Sequence, residues 1–180
     1  MSIWLITRRL SRSATLSPPP HGRIPCPFNP LASCNLLRST NHLMSKMIFV
    51  NLPVSDLKAS TAFYQAMGFK NNPQFSDETG ACMVWSDSIY VMLLTHKKWR
   101  TFTTREIPPT TASEVMLALS CENREAVDAL NNAAAANGGT ADINPLQDHG
   151  FMYGRSLADL DGHVWEMFWM DQNAIQGETK

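Results

Sequence analysis

The 180-residue sequence has no run of about 18 apolar residues, the length that a membrane-spanning helix requires. Charge is scarce, at 17% Asp, Glu, Lys and Arg, which excludes a highly charged disordered chain. Four cysteines are too few for a disulfide scaffold, and no CxxC or Cys/His spacing marks a zinc site. No Gly-rich loop leads from a strand into a helix, and no G-x-S-x-G elbow or basic stripe interleaved with aromatics occurs. These gaps argue against nucleotide binding, serine hydrolysis, nucleic-acid partners and a membrane partner.

Acid is missing altogether from residues 1–46, which hold Arg8, Arg9, Arg12, Arg23, Arg38 and Lys46. All 16 acidic residues and nine of the 15 basic ones therefore fall in 47–180, a net charge of −7 that repels phosphate backbones. The near-neutral total is a basic leader joined to an acidic domain. That domain is long enough to bury roughly two-thirds of its unfolded surface without staples. The leader's Pro-rich middle and lack of periodicity argue against a packed element. Its Arg and Ser content has two readings, a mitochondrial or plastid transit peptide or upstream sequence before a start at Met44 or Met47. The second gives a cytoplasmic protein, the first an organellar one. Cys82 and Cys121 lie in apolar, strand-like runs and are expected as buried free thiols of a reducing compartment.

What is present is one unit written twice. Met47–Val54 reads as a strand, and Ser55 and Asp56 supply cap chemistry for a helix through Met67 that Gly68 ends. Strands follow around Phe69–Phe75, Ala81–Trp85 and Ile89–Thr95. After a polar link with Pro108 and Pro109, the order returns. Glu114–Cys121 is a strand, Asn123 caps a helix to about Ala136, and weak strand character appears near Thr140–Pro145. Phe151–Leu157 and His163–Met170 close the domain around the turn Asp159–Gly162, in which Asp159 and Asp161 shape the backbone. A polar tail, 172–180, follows. Two β-α-β-β-β units make an α+β fold, with a helix on one face of each sheet and the other faces around a cleft.

The stretches LPVSDLKASTAFYQAMGF and YGRSLADLDGHVWEMF resemble the opening and closing motifs of the glyoxalase / bleomycin-resistance / extradiol-dioxygenase superfamily, also called vicinal oxygen chelate. The match spans 47–171 and implies two βαβββ modules, a small-molecule ligand and a homodimer. Its members include metal lyases, dioxygenases and metal-free proteins that sequester drugs, so the fold leaves the function open.

In the metal-dependent members, four inward side chains hold a divalent ion such as zinc, nickel, manganese or iron. The resemblance puts Glu166 at the closing ligand position. The other three align with Phe49, Leu93 (or Met92) and Met116, none of which offers an oxygen or nitrogen lone pair. One carboxylate alone binds a metal poorly, so the expectation is no cofactor, with a divalent metal held by Glu166 as the alternative.

Strand alternation then assigns the cleft. Val164 and Phe168 accompany Glu166, while Trp165, Met167 and Trp169 pack on the helix. Phe49, Asn51, Leu93 and Met116 stand at the matching positions elsewhere. Such a cavity is apolar with one acid, which suits a small organic ligand. An acid among apolar neighbours is suited to general acid or base work; pairing with Arg155 is the structural alternative. His149 is expected at the cleft mouth beside Tyr153 and Arg155, as a catalytic or a loop-capping group. Arg155 has the planar fork to anchor an anion. His163 is read as satisfying hairpin backbone groups and His96 as a surface residue. The expected activity is that of a lactoylglutathione lyase-like protein acting on a carbonyl compound or its thiol adduct. The alternative is metal-free sequestration.

Overall fold

Cap chemistry and strand alternation build each unit in the order read from the sequence. In the computed structural model, residues 46–175 are described. The leader expected over 1–46 therefore lies outside the described residues, Lys46 apart, as do residues 176–180 of the tail.

The first module runs β1 (Ile48–Val54), α1 (Leu57–Ala66), β2 (Lys70–Asn72), β3 (Gly80–Val84) and β4 (Ile89–Thr95), followed by a short helix α2 (His96–Trp99). The second runs β5 (Met116–Ser120), α3 (Arg124–Ala136), β6 (Thr140–Ala141), β7 (Gln147–Asp148), β8 (Met152–Ala158) and β9 (Val164–Met170), with a helical turn α4 (Gln172–Ile175) behind it. Asp56 caps α1 by accepting the Lys58 and Ala59 N–H groups, and Asn123 caps α3 by accepting that of Ala126. Each cap satisfies donors that a first helical turn leaves orphaned. The sheets are ordered β1-β4-β3-β2 and β5-β9-β8-β6, with β7 pairing β8, and in each the first and last strands of the module pair in parallel. No helix among the described residues is long and apolar enough to cross a membrane.

Four elements differ from the sequence reading, two of them the short additions β7 and α4. The strand expected over Phe69–Phe75 stops at Asn72, where Pro73 starts a 3-10 turn capped by the Asn72 side chain. The helix α2 was not expected; Thr95 starts it by accepting the Lys98 N–H at 3.3 Å.

One core serves both modules. Leu52, Val54, Val91 and Leu93 from the first sheet meet Phe63, Tyr64 and Met67 of α1, and the same cluster continues into Leu119, Leu157, Trp165 and Met167 of the second sheet. The Asp159–Gly162 turn fastens the halves. Asp159 accepts the Tyr64 hydroxyl at 2.7 Å, and Tyr64 in turn accepts the Trp165 indole N–H at 3.0 Å. Asp159 also accepts the backbone N–H groups of Asp161 and His163, the hairpin role read from the sequence. Asp161 reaches further and accepts the Ser55 N–H at 2.8 Å and the Ser60 hydroxyl at 3.2 Å. His163 donates from Nε2 to the Pro53 carbonyl at 2.8 Å, so it bridges to the first module as well as serving the hairpin. Gly162 has φ +89°, and a Cβ there would come within 2.7 Å of the Thr110 carbonyl, so glycine lets the inter-module link close over this turn.

Candidate functional site

Hairpin geometry decides what faces the ligand side. The tight turn pairs Ala158 with Val164, which makes Ser156 the partner of Glu166 and Gly154 the partner of Phe168. From β5, Ala118 is the partner of Glu166. Paired residues share a face. Glu166 therefore stands between Ala118 and Ser156, with Phe168, Met152 and Met170 further along the same surface. This surface bounds an open cavity of about 240 Å³, closed on one side by Asn144, Pro145 and Gln147. Gly154 leaves room opposite Phe168, where a Cβ would lie 3.6 Å from the Phe168 Cβ.

The polar groups of the cavity differ in what they are free to do. The Ser156 hydroxyl accepts the Asn144 N–H at 2.7 Å and is committed to the fold. The Asn144 amide makes only a 3.9 Å contact to the Met116 sulfur. No described residue hydrogen-bonds or ion-pairs with the half-buried Glu166 carboxylate or the Gln147 amide.

Several expected site residues stand elsewhere. Leu93 is a correction: it is fully buried in the shared core, because β1 pairs Leu52 with Leu93 and both turn toward α1. Met92, the alternative at that position, lies on the outer face with Cys82 and Leu94. Tyr153 and Arg155 are also corrections. They alternate with Gly154 and Ser156 and so point to the α3 side of β8. There Arg155 binds Asp128 at 2.9 Å and Asp142 at 2.7 Å, and the Tyr153 hydroxyl donates to Asp128 at 2.9 Å. The guanidinium bonds hold both carboxyls below the ordinary carboxylate range and raise the Arg155 pKa further. Arg155 therefore borders the cavity while its guanidinium is held by Asp128 and Asp142, and it is not a partner of Glu166.

His149 sits in the exposed loop between β7 and β8, its N–H bonded to the Met152 carbonyl at 2.9 Å, and it does not line the cavity. Phe49 and Asn51 lie on the outer face of the first sheet, with Phe49 stacked on Tyr90 at 4.7 Å between ring centroids. Met116 shares the Glu166 face, at the exposed start of β5. The structure therefore brings Glu166 and Met116 onto one surface and leaves Phe49 and Asn51 on the other sheet. Sequence reasoning missed Gly154, Asn144, Pro145 and Gln147, and also Met152, Ser156 and Met170. Counting back through the hairpin from Ala158 would have found the glycine.

The metal of the chelating relatives does not fit this donor set. Among the described residues no three His, Cys, Asp or Glu side chains converge. On the first sheet, the outer face offers Phe49, Asn51, Tyr90, Met92 and Leu94, again without acid or imidazole. Hard and borderline divalent ions need several charged or imidazole donors to offset their desolvation.

Comparison with known proteins agrees with this architecture. A family model described as bleomycin resistance protein-like N-terminal matches residues 46–86. A hypothetical protein from S. aureus is 30% identical with a TM-score of 0.59, over 70% of this chain and 95% of that one. A glyoxalase/bleomycin resistance protein/dioxygenase family enzyme from Burkholderia phytofirmans has the same fold at 20% identity and TM-score 0.59, over 70% of this chain and 99% of that one. A fosfomycin resistance protein from Listeria monocytogenes follows at 18% identity and TM-score 0.51, over 71% and 92% of the two chains. None of the curated proteins matches. Two modules in the expected order, fastened by the D-x-D-G turn, place this chain in the glyoxalase / bleomycin-resistance / dioxygenase (vicinal oxygen chelate) superfamily.

Proposed function

We propose that the protein binds a small organic molecule in the cavity of its second sheet, without a metal, in the manner of a sequestering protein. The observation that carries this reading is the lining of that cavity. Ala118, Pro145, Met152, Phe168 and Met170 give it an apolar surface around a single carboxylate, with Asn144, Gln147, Arg155 and Ser156 as the other polar groups at its border. Ligand pockets combine an apolar lining with a few oriented polar groups in this way. Exposed Met116, Leu146 and Phe151 lie on the same module, and a second copy covering them would enclose the ligand and give a homodimer.

The test is titration of the purified chain with small aromatic molecules, followed by methyl NMR. Binding should shift the Met152 and Met170 methyls. Gly154→Leu should abolish the shifts while leaving stability within about 0.5 kcal/mol, since its Cβ meets only ordinary contacts. Shifts that persist in that variant would refute the site. Light scattering that finds a monomer would refute the second copy.

The glyoxalase-like lyase is the second reading, favoured by one observation: no described residue bonds the Glu166 carboxylate, which is left to meet a substrate. Turnover of a hemithioacetal that is lost in Glu166→Gln would decide for it; metal-free, inactive protein would decide against it.

A further inference from the structure

We propose that the ligand of this cavity is a cation, namely a protonated amine or amidinium joined to a flat apolar body; the proposal rests on reading the cavity as the ligand site. Glu166 is the single acid among the described lining residues, and no described residue neutralises it. Arg155 is the single base among those lining residues, but its guanidinium is turned through the sheet and held by Asp128 and Asp142. An anionic ligand would meet a carboxylate here with no cation to offset it. A cation would pair the one charge that the described lining residues leave unpaired.

The remaining groups suit such a molecule. The Asn144 and Gln147 amide oxygens can accept further N–H bonds beside the carboxylate, since neither is used within the fold. Phe168 presents a ring face or edge, and Met152 and Met170 present polarizable sulfurs, all favourable surfaces for a cation or a flat ring. Gly154 and Ala118, with little or no side chain, leave room for a planar body. At longer range, the −7 charge of residues 47–180 raises the local concentration of cations and lowers that of anions. A glutathione adduct, with its extra carboxylate, fits this field poorly, so the proposal also favours sequestration over the lyase.

Three naphthalene probes of matched size separate the outcomes by calorimetry of the full chain near neutral pH and low salt. 1-Naphthylmethylammonium should bind about tenfold more tightly than 1-naphthylmethanol, and 1-naphthylacetate more weakly than either. In Glu166→Gln the ratio of ammonium to alcohol affinity should shrink to within about twofold. The substitution removes no bond within the protein, and the alcohol reports in the same experiment that the cavity is intact. Equal binding of the three probes, a preference for the acetate, or an ammonium preference that survives Glu166→Gln would overturn the charge proposal and leave the cavity reading standing. If none of the probes binds, both fall together.

Discussion

The two modules share a chain order and differ in what covers their outer faces. In the first, Cys82, Met92 and Leu94 are buried, and Trp99 of α2 packs against them. In the second, no described helix covers the face in this way, and the Glu166 cavity is open. The difference originates in the segment after the last strand. His96–Trp99 folds back on the first sheet, whereas Gln172–Ile175 follows β9 and is exposed through Ala174. The duplicated order therefore ends in one sheet that α2 partly covers and one that borders an open cavity.

The core joining the modules is the strongest point at which to break that comparison. Trp165→Ala should cost about 3–5 kcal/mol, because it empties the shared core and strips the Tyr64 hydroxyl of its donor. Urea unfolding should remain one transition, since both sheets lose the same neighbour. Two separated transitions would mean that the modules are independent.

Trp99→Ala should cost about 2 kcal/mol by uncovering the first sheet. Its sharper readout is the Cys82 thiol, buried now and held above its ordinary pKa by burial, which should become reactive to Ellman's reagent. Trp99→Phe should be milder, because the indole N–H is buried without an acceptor and its removal forfeits no bond. An unreactive Cys82 in Trp99→Ala would show that α2 is not what covers that face.

Asp161→Ala should cost about 1 kcal/mol by releasing Ser55 and Ser60 at the start of α1, with the cavity and its ligand binding unchanged. A loss of probe binding in that variant would show that the turn and the cavity are coupled.

The smallest effect is a contrast of sign between two carboxylates of the second module. Arg124 bonds Asp148 at 2.7 Å and holds its carboxyl at about 2, so this contribution to stability is present above the unfolded value of about 3.9 and is lost as pH falls through about 2. Burial instead raises Asp159, so stability falls as pH rises from the unfolded value through the folded one. Carboxyl NMR titration of the native protein should find Asp148 below and Asp159 above the ordinary range. Arg124→Gln should return Asp148 toward about 3.9 and leave Asp159 in place. Any movement of Asp159 would contradict the separation of the two.

Much of the second module was legible before the structure. HVWEMFWM alternates large residues around Glu166, and the D-x-D-G turn fixes the hairpin register, so the Glu166 face and the helix face could be told apart. Applied one strand back, the same count turns the Tyr153 side chain and the Arg155 guanidinium to the helix side. The first module was less legible at IYVMLLT, where every residue from Ile89 to Leu94 is apolar and alternation carries no direction. Only the packing of α1 chose Val91 and Leu93 for the core and left Met92 and Leu94 outside.

The order of elements, the caps, the turns and the shortage of chelating side chains are properties of the sequence itself, because each rests on local geometry or on residue chemistry. Tertiary structure alone decided that Arg155 is spent on Asp128 and Asp142, that Trp99 seals one sheet, and that Asn144, Pro145 and Gln147 border the other. Those outcomes depend on which surfaces residues far apart in the chain bury against each other, and no local pattern carries that information.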